Sequence, residues 1–370
     1  MSATENGWQP APDLPPPSSS VGIIGWIRQN LFSSPLNIFL TVVGLYIIYK
    51  AGVPILDWVF WSADFSGEDQ SACTSGGACW VFVGQRLSFF IYGFYPESEY
   101  WRINVLFVLL AVLIIPQMIP AFPHKKWLGW FFLVGFPIVS YVLLLGGSFS
   151  LPHVETEKWG GLMLTLVISF VGIVFALPLG TLLALGRRSD MPVIRAICVG
   201  FIELWRGVPL ISVLFMASVM LPLFLSEGAH FNKLLRALIG IVMFQSAYMA
   251  EVVRGGLQAI PKGQYEAAAA LGLGYWRSMG LVILPQALKL VIPGIVNTFI
   301  ALFKDTTLVL IIGLLDILAS VQAAITDPAW SAVAAEGYVF TAVAFWIFCF
   351  GMSRYSQGLE RRLDTGHKKR

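Results

Sequence analysis

The sequence carries little charge. Only 12% of its 370 residues are Asp, Glu, Lys or Arg, whereas about 25% are charged in an ordinary soluble domain. Hydrophobic residues make up 57% of the chain and the mean hydropathy is +0.75. This composition excludes a soluble globular enzyme. The net charge is only +3, and the sequence has no dense run of basic residues before the last ten positions. These two features exclude a nucleic-acid-binding protein.

Histidine and cysteine are scarce as well, with four of each. Their spacing fits no zinc, iron–sulfur or haem site, so no metal is predicted for this chain. There is no G-x-S-x-G segment and no pair of histidines within an apolar run, as an intramembrane hydrolase would need. No G-x-x-x-x-G-K-[ST] motif occurs either. The chain therefore has no P-loop for ATP, and any ATP and Mg must be bound by another protein.

Long apolar runs are what the sequence does have. A membrane-spanning helix takes about 20 residues. We predict eight transmembrane helices, at about 36–58, 103–121, 127–147, 161–185, 207–225, 234–253, 286–303 and 336–353. A further apolar stretch at 305–324 contains Asp305 and Asp316, and we expect it to form a helix buried in protein. The predicted fold class is an all-α integral membrane protein.

The loops between these spans predict the topology. Most Lys and Arg residues lie in alternate loops, and the positive-inside rule then places both termini in the cytoplasm. The Pro- and Ser-rich start of the chain, 1–34, is predicted to be a disordered or interfacial cytoplasmic tail. Residues 365–370 are predicted to be a basic cytoplasmic tail.

The longest extracytoplasmic segment is predicted at about 59–102. Cys73 and Cys79 lie in its Gly- and Ser-rich part, where a disulfide and two free thiols are both compatible with the sequence. The aromatic part that follows fits either a segment in the membrane interface or a cap packed on the helices.

The most informative loop follows the sixth span and reads QYEAAAALGLGYWRSMGLVILP from Gln264 to Pro285. Pro261 favours a helix start, and the alanine run that begins at Ala267 leaves a bare helical surface. Gly272 favours a turn, after which a second helix is predicted. An ordered, Ala-rich loop of this kind is typical of a docking element.

This spacing resembles the EAA loop of ABC importer permeases, which reads Glu-Ala-Ala, three residues, Gly, nine residues, Ile, one residue, Leu-Pro. The matching positions are Glu266, Ala267, Ala268, Gly272, Leu284 and Pro285. Val282 stands where the pattern has isoleucine.

Three further stretches resemble the polar amino-acid uptake branch of that family. They are GLMLTLVISFVGIVFALPLGTLLALGRRS at 161–189, FIELWRGVPL at 201–210 and FKDTTLVLIIGLLDIL at 303–318. The resemblance covers about 158–364 and implies a five-helix permease core with its coupling loop at about 255–285. Residues 35–157 are then an N-terminal extension with three spans, similar to the long permease subunits of general L-amino-acid transport systems.

The resemblance implies a permease subunit of an ATP-driven, binding-protein-dependent importer of polar L-amino acids in the bacterial inner membrane. Cytoplasmic ATPase subunits would contact Glu266, Ala267, Ala268 and Gly272, while Pro285 would set the angle to the next span. Alternatively, Glu266 only favours the N-terminus of its helix electrostatically. An extracytoplasmic amino-acid-binding protein would deliver the solute. A second permease chain, preferably a different and shorter one, would complete the pathway.

Six polar residues of the core are candidates for the translocation path or its gating: Glu203, Arg206, Asn297, Thr298, Lys304 and Asp305. Glu203 and Arg206 are three apart on a predicted helix, so we expect them to pair with each other. Lys304 and Asp305 are expensive in lipid and fit a pathway, a subunit interface or a mutual buried pair. Asn297 and Thr298 fit hydrogen bonds to a solute or between helices.

Two other classes predict different sequences. A secondary, ion-coupled amino-acid transporter would show internal repeats with broken helices in matching positions and no docking loop, and no convincing repeat is present. A purely structural membrane anchor would not need the EAA spacing. The ABC permease is the leading interpretation because of that loop.

Overall fold

The computed structural model describes residues 22–119, 122–224 and 232–363. The described residues are all-α, as predicted, apart from the two-residue strand β1 (Leu315–Asp316). The helices are α1 (Gly22–Asn30), α2 (Pro35–Leu56), α3 (Trp80–Tyr92), α4 (Tyr100–Met118), α5 (Lys125–Trp130), α6 (Phe136–Leu145), α7 (Gly161–Arg187), α8 (Pro192–Gly207), α9 (Leu210–Phe215), α10 (Lys233–Ala259), α11 (Lys262–Ala270), α12 (Tyr275–Ser278), α13 (Leu284–Leu290), α14 (Ile292–Asp305), α15 (Ile317–Ala324) and α16 (Ala334–Leu363).

Short π and 3₁₀ turns extend or connect these helices. The π turns are Asp57–Trp61, Phe131–Gly135, Met216–Met220 and Met279–Ile283. The 3₁₀ turns are Gln70–Ala72, Glu97–Glu99, Thr156–Lys158, Leu221–Phe224 and Thr306–Ile312. The predicted basic tail at 365–370 and the first 21 residues of the predicted N-terminal tail lie outside the described residues.

Seven helical segments within the described ranges are long and apolar enough to cross a membrane. They are Pro35–Trp61, Glu97–Met118, Lys125–Leu145, Gly161–Arg187, Lys233–Ala259, Ile292–Ile312 and Ala334–Leu363. An eighth span is formed if α8 and the segment Leu210–Phe224, which meet at a bend of 102°, are taken as one broken crossing. The prediction of about eight spans agrees with this set.

The fifth span differs from its predicted bounds of 207–225. It begins with α8 and breaks at Val208, whose backbone is extended, with φ −109° and ψ 135°. Pro209 follows directly and lacks a backbone N–H, and proline disfavours the helical conformation of the residue before it. The Gly-Val-Pro sequence therefore separates α8 from the segment Leu210–Phe224, which covers most of the predicted span.

The seventh span is displaced from its predicted position at 286–303 and runs over Ile292–Ile312. Val291 interrupts the helix before it, and Pro293 occupies the first turn of α14, where a missing N–H costs nothing. The stretch 305–324, predicted as one buried helix, is therefore split. Its first part completes the seventh span as a 3₁₀ turn, and only α15 is a separate, largely buried helix.

Two compact units divide the chain. The described part of the first unit is 22–67 with 71–79. It contains α1, which lies within the predicted tail 1–34, and α2. It also contains a loop in which Cys73 and Cys79 form a disulfide, with Cα atoms 5.5 Å apart. In the same loop, the Ser75 hydroxyl and backbone N–H donate to the Asp64 carboxylate and lower the pKa of Asp64.

The second unit contains 68–70 and 80–363. Its larger hydrophobic cluster combines residues of α4 and α6 with residues of α7, α9 and α10. Examples of its members are Ile103, Phe136, Met163, Leu214 and Ile241. The second and third predicted spans of the extension therefore pack with helices of the predicted permease core.

Helices α7 and α10 form the centre of this unit. At Gly180, an added Cβ would lie 2.7 Å from the Met249 Cβ and 3.0 Å from the Ala250 backbone nitrogen. Such close approach requires the absence of a side chain on α7. A second hydrophobic cluster surrounds one end of this helix pair and includes Leu185, Ile202, Val253, Leu257, Met279 and Ile283.

The other end of α7 is tied to the segment after the seventh span. Gly161 forms an isolated β-bridge with Asp316, and the Gly161 N–H donates to the Ser320 hydroxyl at 3.2 Å. The side chain of Asp316 caps α15 by accepting from the Ala319 N–H at 2.9 Å. Asp316 is fully buried, and burial raises its pKa to about 6.

Candidate functional site

Helix α11 ends in a Schellman motif. The Leu273 N–H donates to the Ala268 carbonyl at 3.1 Å, and the Gly272 N–H donates to the Ala269 carbonyl at 2.9 Å. Gly272 has φ +71°, a left-handed conformation that glycine adopts without the penalty of a Cβ. The chain turns there and begins α12 after Gly274. This is the helix–turn–helix that the glycine spacing predicts.

The turn presents a surface that the described residues leave uncovered. We call it the coupling surface and define it as Glu266, Ala267, Leu271, Trp276 and Leu281. All five are exposed, and the exposed fractions of Leu271, Trp276 and Leu281 are 78%, 70% and 71%. Large apolar side chains next to a small-residue helix face are typical of a protein-docking site.

Ala268 does not belong to this surface. Its side chain is 2% exposed and faces the interior of its own chain. In this conformation its small size permits α11 to pack on its own unit, whereas Ala267 is on the open side. The two alanines of the EAA spacing therefore lie on different faces of α11, one exposed and one buried.

Tyr265 connects the coupling helix to the core. Its hydroxyl donates to the Leu257 carbonyl at 3.1 Å and accepts from Arg188 Nη1 at 3.2 Å. The Arg188 guanidinium also lies 5.7 Å from the centre of the Tyr265 ring. Beside this contact is a pocket of about 180 Å³, lined by Leu185, Arg188, Leu257, Tyr275 and Met279. Since Arg188 is the C-cap residue of α7, α11 is linked to the end of that helix.

Pro285 lies in the first turn of α13, directly after the π turn Met279–Ile283. Helical structure continues through it, and the interruption before the next span comes at Val291. The segment is held close to α10, because a Cβ on Gly256 would lie 2.6 Å from the Ala287 carbonyl oxygen.

A group of five charged side chains lies at the same end of α7, α8 and α10. We call it the Glu251 cluster, and it comprises Arg187, Glu203, Arg206, Glu251 and Arg254. Glu251 accepts from Arg187 at 2.9 Å and from Arg254 at 2.7 and 3.0 Å, and Arg206 lies 3.9 Å away. Three arginines against two glutamates leave one positive charge in excess.

The predicted partners of Glu203 and Arg206 are therefore wrong. Glu203 accepts from Arg187 at 2.9 Å, while Arg206 is nearest to Glu251. The guanidinium of Arg206 also lies 5.7 Å from the centre of the Tyr248 ring. The charges of α7, α8 and α10 meet here because the three helices pack together. Residue spacing along α8 alone could not predict these ion pairs. An acidic residue close to the end of an apolar span was the available signal for Glu251.

The remaining candidates lie on α14. Asn297 and Lys304 are exposed, and the Thr298 hydroxyl donates to the Gly294 carbonyl of its own helix at 2.9 Å. Asp305 is half-buried and accepts from Gln245 of α10 at 3.5 Å. Thr298 therefore has a partner within its own helix, and Asp305 faces α10.

The chain is similar to proteins of a known family. A sequence profile described as "Binding-protein-dependent transport system inner membrane component" matches residues 176–365. The chain belongs to that family. The resemblance expected from the EAA spacing is thus confirmed, and this family member is a transport subunit, not an enzyme.

Full-length relatives cover the extension as well as the core. The inner membrane amino-acid ABC transporter permease protein YhdY of Escherichia coli (strain K12) is 56% identical over 96% of this chain and 97% of its own length. The glutamate/glutamine/aspartate/asparagine transport system permease protein BztC of Rhodobacter capsulatus is 41% identical over 96% of both chains.

Shorter relatives match part of this chain. The probable glutamine ABC transporter permease protein GlnP of Bacillus subtilis is 29% identical over 58% of this chain and 97% of its own length. A solved structure, an amino acid ABC transporter with histidines, is 29% identical over 55% of this chain, with a TM-score of 0.49.

Proposed function

We propose that this family member is the membrane-spanning permease subunit of an ATP-driven, binding-protein-dependent importer of polar amino acids. The observation that carries the proposal is the coupling surface, an exposed apolar turn in the EAA spacing that the described residues leave uncovered. The amino-acid class is supported by full-length similarity to permeases whose names specify amino acids.

In this proposal, cytoplasmic ATPase subunits bind the coupling surface and supply ATP and Mg. Movement of α11 is passed to α7 through the contact of Tyr265 with Arg188, and from there to the Glu251 cluster, which joins α7, α8 and α10. Alternating access requires a bundle with two arrangements that the bound partners bias differently.

The proposal also includes the orientation of the chain in the membrane and its partner proteins. The coupling end of the bundle and both termini are cytoplasmic, as the distribution of Lys and Arg predicts. The loop with Cys73 and Cys79 is then extracytoplasmic, where the disulfide is stable. An amino-acid-binding protein delivers the solute on that side, and a second, shorter permease chain completes the pathway. Asn297, Lys304 and Asp305 remain candidates for lining it, and α14 presents the first two as exposed side chains.

A secondary, ion-coupled transporter is the alternative of a different class. Family membership disfavours it, because the matching profile describes a component of binding-protein-dependent systems. An ion-coupled transporter binds no ATPase, so the exposed coupling surface would have no role in it.

The test is recovery of ATPase subunits with the full-length chain, expressed with its neighbouring genes and purified in mild detergent. Leu271→Glu should reduce recovery by roughly thirtyfold, since a central interface residue contributes about 2 kcal/mol or more. Leu271→Met is the matched control and should keep the ATPase. Leu271 is 78% exposed, so neither change disturbs packing within the chain. Wild-type protein that never retains an ATPase would contradict the proposal.

A further inference from the structure

Helix α8 lies between two breaks that prolines impose on the chain. Met191, before Pro192, and Val208, before Pro209, both have an extended backbone, with ψ angles of 112° and 135°. Proline disfavours the helical conformation of the residue before it, so both breaks follow from the sequence. Backbone dihedrals at the end of a helix change without the loss of helical hydrogen bonds, which is how hinges work. Helix α8 is therefore built to tilt as one piece.

Helix α8 packs closely on the end of α7. The Cys198 sulfur occupies the space into which a Cβ on Gly186 of α7 would extend. Ile202, one turn further along α8, is fully buried in the hydrophobic cluster around this end of α7 and α10. The next residue, Glu203, accepts from Arg187 of α7 at 2.9 Å. Apolar contacts and one ion pair thus hold α8 against α7.

The Glu251 cluster contains one arginine more than its two glutamates bind closely. Glu251 accepts from Arg187 at 2.9 Å and from Arg254 at 2.7 and 3.0 Å. The same nitrogen of Arg187 also donates to Glu203. Arg206 Nη1 lies 3.9 Å from the Glu251 carboxylate, which is beyond hydrogen-bonding distance. Arg206 is therefore held least closely of the three arginines.

Glu203 and Arg206 are three residues apart on α8, a spacing at which helix side chains meet. They do not pair in this conformation, because Arg187 of α7 binds Glu203. If α8 tilts away from α7, Glu203 loses Arg187 but has Arg206 within reach on its own helix. Arg187 then keeps Glu251, which belongs to α10. Each carboxylate therefore has an arginine in both arrangements.

We propose that the Glu251 cluster is an ion-pair exchange that gives α8 two positions during transport. Glu203 pairs with Arg187 while α8 lies against α7, and with Arg206 after α8 tilts away. The tilt takes place at the break at Val208. The inference rests on the proposed function, because it supplies two arrangements of the kind that alternating access requires. Movement of the coupling helix reaches this contact through Arg188, at the end of α7.

The thiol of Cys198 reports the position of α8. Cys198 lies ten residues from Val208, whereas Glu203 lies five, so a tilt at Val208 moves Cys198 about twice as far. The thiol then leaves Gly186 and becomes accessible to reagents. The other free cysteine, Cys349, is replaced by serine, and the remaining two cysteines form a disulfide. Alkylation of the chain then measures how often α8 is displaced.

The experiment measures the rate at which N-ethylmaleimide, a neutral reagent, alkylates Cys198 of the full-length chain in mild detergent. Arg187→Gln removes the pair that holds α8 against α7, so the rate should rise about tenfold. Arg206→Gln removes the pair that forms after the tilt, so the rate should fall about two- to threefold. Glu203→Gln removes both pairs and should stay close to the parent protein. Mass spectrometry of this chain gives the four rates.

The opposite signs distinguish an exchange from a static contact. If the cluster only held the helices together, loss of either arginine would loosen α8 and raise the rate. Both substitutions change the electrostatic potential at the thiol in the same sense, so that effect cannot produce opposite signs. A rise or no change in Arg206→Gln would overturn the proposal.

Two further variants are matched controls. Arg195 is on α8 and donates to the Ser189 carbonyl instead of a member of the cluster, so Arg195→Gln should leave the rate near that of the parent. Arg187→Lys keeps the positive charge and should restore most of the slow rate. A rise in Arg187→Lys as large as in Arg187→Gln would overturn the proposal, because the charge would then not hold α8.

Addition of ATP and Mg to the assembled complex separates the inference from the proposed function. The alkylation rate of the parent should change several-fold, and that of Arg187→Gln should change less, because its α8 is already displaced. A complex that transports without any change in the rate would overturn the exchange and leave the importer assignment intact. A chain that retains no ATPase would contradict the proposed function, while the signs measured on the isolated chain would still decide the exchange.

Discussion

Two spans of this protein, α10 and α2, reverse the simple relation between hydropathy and burial. In α10, 56% of the most apolar window is buried although the mean hydropathy is only 1.3. In α2, none of that window is buried by the described residues of its own unit, although the mean hydropathy is 1.8. Polar residues such as Gln245 and Ser246 are acceptable in α10 because the protein surrounds them. High hydropathy indicates that a helix is compatible with lipid. Helices in the interior of a membrane protein are recognised instead by polar residues that are buried and hydrogen-bonded.

The largest expected effect concerns the charges of α10. In Glu251→Gln, three arginines lose their shared carboxylate, whose side chain is only 16% exposed. Removing one partner of a largely buried ion-pair group costs about 3 kcal/mol. Thermal unfolding in mild detergent, followed by transport in proteoliposomes, measures the loss. We expect both stability and transport to fall.

Glu203→Gln is the matched control, since the Glu203 side chain is 55% exposed and contacts Arg187 alone among the cluster arginines. Exposed ion pairs contribute about 0.5 kcal/mol. Equal destabilisation by the two variants would show that the Glu251 cluster does not join the helices as described.

The next effect depends on pH and contrasts a buried aspartate, Asp316, with a partly exposed one, Asp64. Asp316 has a pKa of about 6, above its unfolded value of 3.8, because it is buried. The folded protein therefore holds this proton more tightly, and the stabilisation, present at low pH, is lost as pH rises through about 6. The free-energy difference between parent and Asp316→Asn should change by about 2 kcal/mol between pH 4 and pH 7, to the variant's advantage at higher pH. Denaturation in detergent at several pH values measures it.

The pKa of Asp64 is shifted in the opposite direction. Hydrogen bonds from Ser75 lower the pKa of this partly exposed carboxyl, so its stabilisation is present above the unfolded pKa and is lost as pH falls through the folded pKa. Asp64→Asn should be relatively more harmful at neutral than at acid pH. A parallel pH response of the two variants would contradict the assignment.

A third effect compares glycines in the two regions. Gly180→Ala places a methyl group 2.7 Å from the Met249 Cβ, and overpacking of this kind costs about 1.5 kcal/mol. Gly44→Ala in α2 meets nothing within 4 Å. Alanine is the better helix former, so Gly44→Ala should be neutral or slightly stabilising. The unfolding midpoints of the two variants give the comparison, and destabilisation by Gly44→Ala would contradict the open space around Gly44 within its own unit.

The sequence predicted the helical class, about eight spans and the turn at Gly272, because these follow from local hydropathy and glycine spacing. It did not predict the partner of Glu203, since ion pairs between helices depend on how the helices pack. Nor did the sequence show which spans of the extension pack with the core. The second and third spans of the extension are as apolar as the first, and only their contacts with α7 and α10 assign them to the core.

Pro285 illustrates the same limit within the site. A proline predicts a break in direction, yet the π turn Met279–Ile283 before it lets the helix continue, and Val291 provides the interruption. The helix and the glycine turn of this loop followed from the sequence, while the division of α11 into an exposed face at Ala267 and a buried face at Ala268 required the packed structure.

The smallest effect tests the turn that forms the coupling surface. Gly272 has φ +71° with open space around its Cβ position, so Gly272→Ala is disfavoured by backbone conformation alone, at about 1 kcal/mol. Gly274 has φ −66° and equally open space, so Gly274→Ala should be neutral. Because the cost falls on the turn and not on the bundle, Gly272→Ala should weaken ATPase recovery several-fold while the unfolding temperature changes little. Gly272→Asn, which tolerates the left-handed conformation better, should recover part of the binding. If both alanine variants bound the ATPase equally well, the shape of the turn would not matter for docking.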